Sequence, residues 1–191
     1  MAKRQSLRKP RPKLDLDVIV DAAIARVEHH GLDELSARKL ARDLGCEAMS
    51  LYHHVGSMEA LKDAMVDKLL GSISPSTSSE PAEALDQETE AYLDLAERHA
   101  RAFQLVATRR WKGKRAAATA GRAVANFIAL GFDATGALAR ARALGAYLNG
   151  AGLALAAWAT DLHADADDAR KVKADLRDGL NILLRSLVKA G

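Results

Sequence analysis

The chain has a single cysteine, Cys46, among 191 residues, so it cannot close an internal disulfide and packing alone must hold the fold. A lone thiol suits a reducing compartment, and the cytoplasm is the expected location. Aromatic residues make up only 4% of the chain. Alanine recurs throughout, and it favours helix over strand. No segment alternates apolar and polar residues as a half-exposed strand would, and no internal repeat is visible. No apolar run at the N-terminus resembles a signal peptide. The longest apolar stretch, Leu144 to Ala159, is interrupted by Asn149 and several glycines, which favours a buried helix over a membrane span. Also missing are a nucleophile elbow, a phosphate-cradling glycine loop, zinc-ligand spacing, and carboxylates paired on an evident helical face. These absences argue against an enzyme, a metal and a cofactor. Adjacent histidines (His29-His30, His53-His54) point apart on a helix and chelate poorly. Cys46 itself reads as a small turn filler, with a redox switch as the less favoured alternative.

Charge is unevenly spread. Residues 1–13 carry six basic side chains and no acid; residues 14–71 carry six basic and eleven acidic groups. A basic arm containing proline cannot bury a core, so residues 1–13 are expected to be disordered alone and free to follow a phosphate backbone. A purely solubilising tail is the alternative.

Helical periodicity and caps divide the rest into an all-α fold. Asp15 or Asp17 opens a helix with Val20, Ala23, Ile24 and Val27 on one face, ended by Gly31. Ser36 opens a second with Ala37, Leu40, Ala41 and Leu44, stopped by Gly45. A third runs from Ala48 to Gly56, and Ser57 opens a fourth. The Ser/Pro-rich stretch 72–81 reads as a linker. Beyond it, helices are predicted over roughly 82–107, 114–130, 134–162 and 166–189. The domain organisation is therefore a basic arm (1–13), a small helical head (14–71), a linker (72–81) and a larger helical body (82–191).

The head carries the recognisable chemistry. Two helices joined by Gly45-Cys46-Glu47 match a helix-turn-helix, whose second helix enters the major groove. On a 3.6-residue wheel Ala48, Leu51 and Val55 turn inward, Met49, Ser50 and His53 outward, and Tyr52 and His54 flank them. Ser and His can read base edges, Met can press on a thymine methyl, and the Tyr52 hydroxyl can reach a phosphate. On the preceding helix Arg38, Lys39 and Arg42 lie off the buried face, with Arg38 placed for a bidentate guanine contact. Ser36, Ala48 and Ser57, at helix starts, complete the candidate DNA-binding set. A mere helical hairpin in a core would need none of this polar outer face.

The run from Leu35 through Val55, LSARKLARDLGCEAMSLYHHV, followed by Ser57-Met58-Glu59-Ala60-Leu61, resembles the tetracycline-repressor (TetR) family signature. The similarity extends from Leu14 to about Leu70. More diffusely, His99 to Thr108, Ala129 to Phe132 and Leu176 to Leu184 are similar to that family's sensing domain. The resemblance implies a three-helix DNA-binding head with a connecting helix, followed by a helical-bundle ligand-binding and dimerisation domain. It implies a homodimer built through the last two long helices, repressing from a palindromic operator and released by a small-molecule effector. A constitutive regulator or an activator is the alternative. Two positions depart from the family pattern: Met58 stands where a phosphate-touching Lys is usual, and Ser74 stands about where a drug-binding His is expected. Tetracycline is thus not the expected effector.

Within the body, Asn149 interrupts an apolar helix and must find a partner. With Phe103, Phe127, Tyr147 and Trp158 it forms the candidate ligand-binding set for a small, largely apolar effector. Leu180, Leu183, Leu184 and Leu187 are the candidate dimer contacts. The basic cluster Arg109, Arg110, Lys112, Lys114 and Arg115 around Trp111 reads as a solvated interhelical loop, with an anion site as the alternative.

Overall fold

The computed structural model describes residues 14–161, 163 and 165–189; the basic arm, residues 1–13, lies outside them. The described residues form α-helices and one short 3-10 turn, with no strand. No helix among them is long and apolar enough to cross a membrane.

Three short helices build the head. α1 (Leu16–His30) begins where the Asp15 carboxylate accepts the Val18 N–H at 2.9 Å, and ends at Gly31 with φ +85°. A 3-10 turn (Leu32–Glu34) leads to α2 (Ala37–Leu44) and α3 (Ala48–Val55). Gly45 closes α2 in the left-handed region, its N–H bonded back to Ala41 and Arg42, a conformation that L side chains resist. α4 (Met58–Gly71) starts at the Ser57 cap and runs out of the head into the body. Its inner face (Leu61, Met65, Val66, Leu69, Leu70) belongs to one apolar cluster that also holds Ile19, Val27 and Leu51 of the head and Leu93, Phe103 and Phe127 of the body. Head and body therefore share a core.

The body comprises α5 (Pro81–Arg98), α6 (Phe103–Thr108), α7 (Lys114–Ala129), α8 (Ala134–Thr160) and α9 (Ala166–Leu187). α8 is central: α5, α6, α7 and α9 all pack on it. A Cβ at Gly152 would overlap the Phe103 ring, so this glycine permits the close approach of α6. The predicted single helix over 82–107 is in fact two, broken at residues 99–102. The reason is tertiary. Glu28 of α1 accepts the N–H groups of Arg101 (3.3 Å) and Ala102 (3.0 Å), supplying acceptors that a continuous helix would otherwise provide.

Candidate nucleic-acid interface and body cavity

In α3, Leu51 and Val55 are buried and Ala48 half-buried, while Met49 is 65% exposed and Tyr52, His53 and His54 also face outward. Ser50 is half-buried. The packing follows the wheel reading except at Ser50, which was expected to face outward. Arg38 and Arg42 of α2 are exposed and have no ion-pair partner among the described residues. Lys39 differs: its ammonium is held by the Glu34 carboxylate, whose pKa is lowered by that bond. The hydroxyls of Ser36 and Ser57 accept the N–H groups of Lys39 (3.4 Å) and Ala60 (3.0 Å), so both cap helices.

Arg26 joins this set, although the sequence pattern did not single it out. It is only 7% exposed, donates from Nε to the Glu34 carbonyl (2.9 Å) and forms an ion pair with Asp43. It thereby ties α1 to α2 and sets the seat of the helix-turn-helix. The signal was present: a cation standing among the apolar positions Ala23, Ile24 and Val27.

A second set of residues lies where α4 meets the body. Glu59, Asp63 and Asp67 follow one another at four-residue spacing on α4, a carboxylate face that the sequence reading did not find. Arg109 donates to Asp63 Oδ1 from Nη2 (2.6 Å) and Nε (3.0 Å), and to Glu59 (2.8 Å) from Nη1. Lys112 reaches Asp63 Oδ2 at 3.0 Å, and Asp67 accepts the Ala116 N–H at 2.9 Å. Part of the predicted solvated loop is therefore docked. Nε and Nη2 of Arg109 share one oxygen of Asp63 while Nη1 takes Glu59, so the guanidinium makes charge-assisted bonds to two carboxylates of α4.

Between them, at the same loop, Trp111 lines a half-open cavity of about 290 Å³ enclosed by α5, α7 and α8. Leu85, Tyr92, Val124, Leu144 and Leu148 supply apolar walls, and Ala123, Ala141 and Gly145 keep it wide. The Tyr92 hydroxyl donates to Asn149 Oδ1 at 2.6 Å, which gives the predicted buried amide its partner. Burial pushes the Tyr92 pKa far up, keeping the phenol a neutral donor.

None of the five residues expected to bind a ligand lines this cavity. Phe103 and Phe127 are fully buried packing residues. Tyr147 is turned toward α9, donating to the Leu176 carbonyl at 2.7 Å. Asn149 sits behind Tyr92, and Trp158 lies a further stretch along α8, away from the lining. Aromaticity alone did not distinguish core from cavity. Of the expected dimer contacts, Leu180 and Leu184 are buried within one chain, and Leu183 and Leu187 are half-buried against the same core.

Residues 19–65 match the family model for bacterial regulatory proteins of the tetR family. The head is thus of the TetR type. An HTH-type transcriptional regulator of Saccharopolyspora erythraea is 31% identical over 154 residues, 78% of this chain and 64% of that protein. The HTH-type transcriptional repressor DrrR1 of Streptomyces coeruleorubidus is 41% identical over 66 residues, 35% of this chain and 24% of that protein. The match thus spans less than two thirds of either relative. A TetR protein of Acinetobacter baumannii AYE, crystallised in complex with minocycline, superposes with a TM-score of 0.77 at 25% identity, covering 93% of this chain and all of that one. The head is thus similar to those of HTH-type transcriptional regulators and repressors.

Proposed function

We propose that the protein is a cytoplasmic homodimeric repressor that holds a palindromic operator and releases it when a small effector enters the body cavity. The placement of Trp111 carries this reading. It lines the cavity, while its neighbours Arg109 and Lys112 grip Asp63 of α4, and α4 follows α3 after only Gly56 and Ser57. Displacing Trp111 therefore displaces the helix that carries the head.

In this reading residues 14–71 bind DNA, 72–81 link and 82–191 regulate. Arg38, Met49, Ser50 and His53 read base edges, and Tyr52, His54, Arg42 and the arm 1–13 meet phosphates. Lys39 joins them only by leaving Glu34. Ser36, Ala48 and Ser57 present helix starts to the backbone. The head's excess of acids places the burden of phosphate neutralisation on Arg38, Arg42 and the arm. The two heads enter successive major grooves, ~34 Å apart. Dimerisation uses the outward face of α8, where Ala139, Ala143, Ala146, Gly150 and Leu153 are exposed at three- and four-residue spacing, together with Ile182 of α9. The structural relative crystallised in complex with minocycline supports a small-molecule effector.

Selecting operators from a random-sequence DNA pool and titrating candidate effectors against the complex tests the reading. A palindromic consensus, and effector and DNA that weaken one another by the same factor, is the expected result. Tight effector binding with no change in DNA affinity leaves a constitutive regulator.

A further inference from the structure

The polar groups along the cavity wall are almost all engaged within the protein. Thr89 donates to the Asp86 carbonyl (2.9 Å), Thr119 to the Leu70 carbonyl (3.2 Å), Trp111 Nε1 to the Val106 carbonyl (2.9 Å) and Tyr92 to Asn149. The lone acid of the lining, Glu88, is paired with Arg122 at 2.7 Å. Arg142 is the exception. It lines the cavity from α8, is exposed, and has no hydrogen-bond or ion-pair partner among the described residues. A ligand entering here finds apolar surface, the rings of Tyr92 and Trp111 with centroids 6.2 Å apart, and one unneutralised guanidinium.

We infer that the cavity selects a flat aromatic monoanion, its ring system against Trp111 and Tyr92 and its acidic group against Arg142. This rests on the reading of the cavity as the effector site and adds the ligand's chemistry to it. A dication would meet the unpaired Arg142 and an acid, Glu88, already neutralised by Arg122. A polyhydroxylated ligand would lose its hydration to walls whose donors are already engaged. A neutral aromatic would gain the apolar contacts and forgo the charge-assisted bond that Arg142 offers. The small side chains of Ala123, Ala141 and Gly145 leave a slot suited to a planar ring system. The cavity volume lies at the low end of small-molecule sites, which run from roughly 300 to 1,000 Å³, so the ligand is compact.

Two probes of nearly equal shape separate the contributions: anilinonaphthalene sulfonate, an aromatic monoanion, and phenylnaphthylamine, its neutral counterpart. Binding is read in the full chain carrying Trp158→Phe, so that quenching of indole emission reports Trp111, the remaining tryptophan of two. The sulfonate is expected to bind roughly tenfold tighter, equivalent to about 1.4 kcal/mol. Arg142→Gln should abolish that preference and leave the neutral probe unchanged. Gly145→Leu, placed where a Cβ meets nothing within 4 Å, should weaken both probes by filling the slot. Equal affinities for the two probes, or an equal loss of both in Arg142→Gln, overturns the anion preference while the cavity reading survives. No quenching of Trp111 by either probe, or no effect of Gly145→Leu, removes the cavity reading along with it.

Discussion

Glu28 and Arg101 cap one another's helices across the junction of head and body. The Glu28 carboxylate accepts the N–H of Ala102 at 3.0 Å and that of Arg101 at 3.3 Å, just before α6. The Arg101 guanidinium in return donates to the carbonyls of Glu28 (3.1 Å) and His29 (2.7 Å) at the end of α1. Glu28→Ala should leave the buried N–H of Ala102 without an acceptor, at a cost of about 1–3 kcal/mol. Chemical denaturation measures the loss, and hydrogen exchange should place the greatest gain in opening at residues 99–103. Unchanged exchange there would remove the latch.

The grip of Arg109 on Asp63 predicts a pH dependence. The Asp63 carboxyl is held below its ordinary value, chiefly by its hydrogen bond to Arg109 and then by that to Lys112. A carboxyl with a depressed folded pKa stabilises the protein above its unfolded value of about 3.9 and loses that contribution as pH falls through the folded value. Asp63→Asn should therefore be less stable than the wild type at neutral pH, and the two curves should converge below about pH 4. Thermal unfolding across that range decides it; parallel curves would show that Asp63 contributes no pH-linked stability.

At Gly152 the helices α6 and α8 approach too closely for a side chain. Gly152→Ala should cost about 1–3 kcal/mol through overpacking against Phe103, even though alanine is the better helix former. Phe103→Leu in the same chain should recover part of that loss. Additive costs, measured by a double-mutant cycle, would show that the two residues do not conflict.

Subunit contacts should respond to the outer face of α8 and α9 and not to the inner one. Ala146→Glu with Ile182→Glu should yield folded monomers in sedimentation, because Ile182 is 71% exposed and Ala146 is also on the surface. Leu180→Glu should unfold the chain, since that side chain is fully buried within it. Persistent dimers in the first variant would place the interface elsewhere.

On the recognition surface, Arg38→Ala and His53→Ala should each cost about 1–3 kcal/mol at the selected operator with helix content unchanged. Fluorescence anisotropy against operator and scrambled duplexes separates base reading from phosphate attraction. Lys39→Ala should cost less than Arg38→Ala, because its ammonium is already engaged by Glu34.

The sequence by itself determined the local architecture of this protein. Caps at Asp15, Ser36 and Ser57, the stop at Gly45 and the helical spacing of Val20, Ala23 and Val27 depend on neighbours within a few residues, so the head and the two faces of α3 were legible from the chain alone. Tertiary structure decided what depends on partners far apart in sequence. The break between α5 and α6 needs Glu28, some seventy residues away. The cavity excludes Phe103 and Phe127 because packing from several helices seals them in, whereas Arg142 and Trp111 line it because the surrounding helices leave space beside them. Leu180 and Leu184 face inward because α9 packs on α8 of the same chain. The apolar periodicity of α9 is satisfied equally by a core or by a partner subunit, and only the arrangement of the other helices distinguishes them.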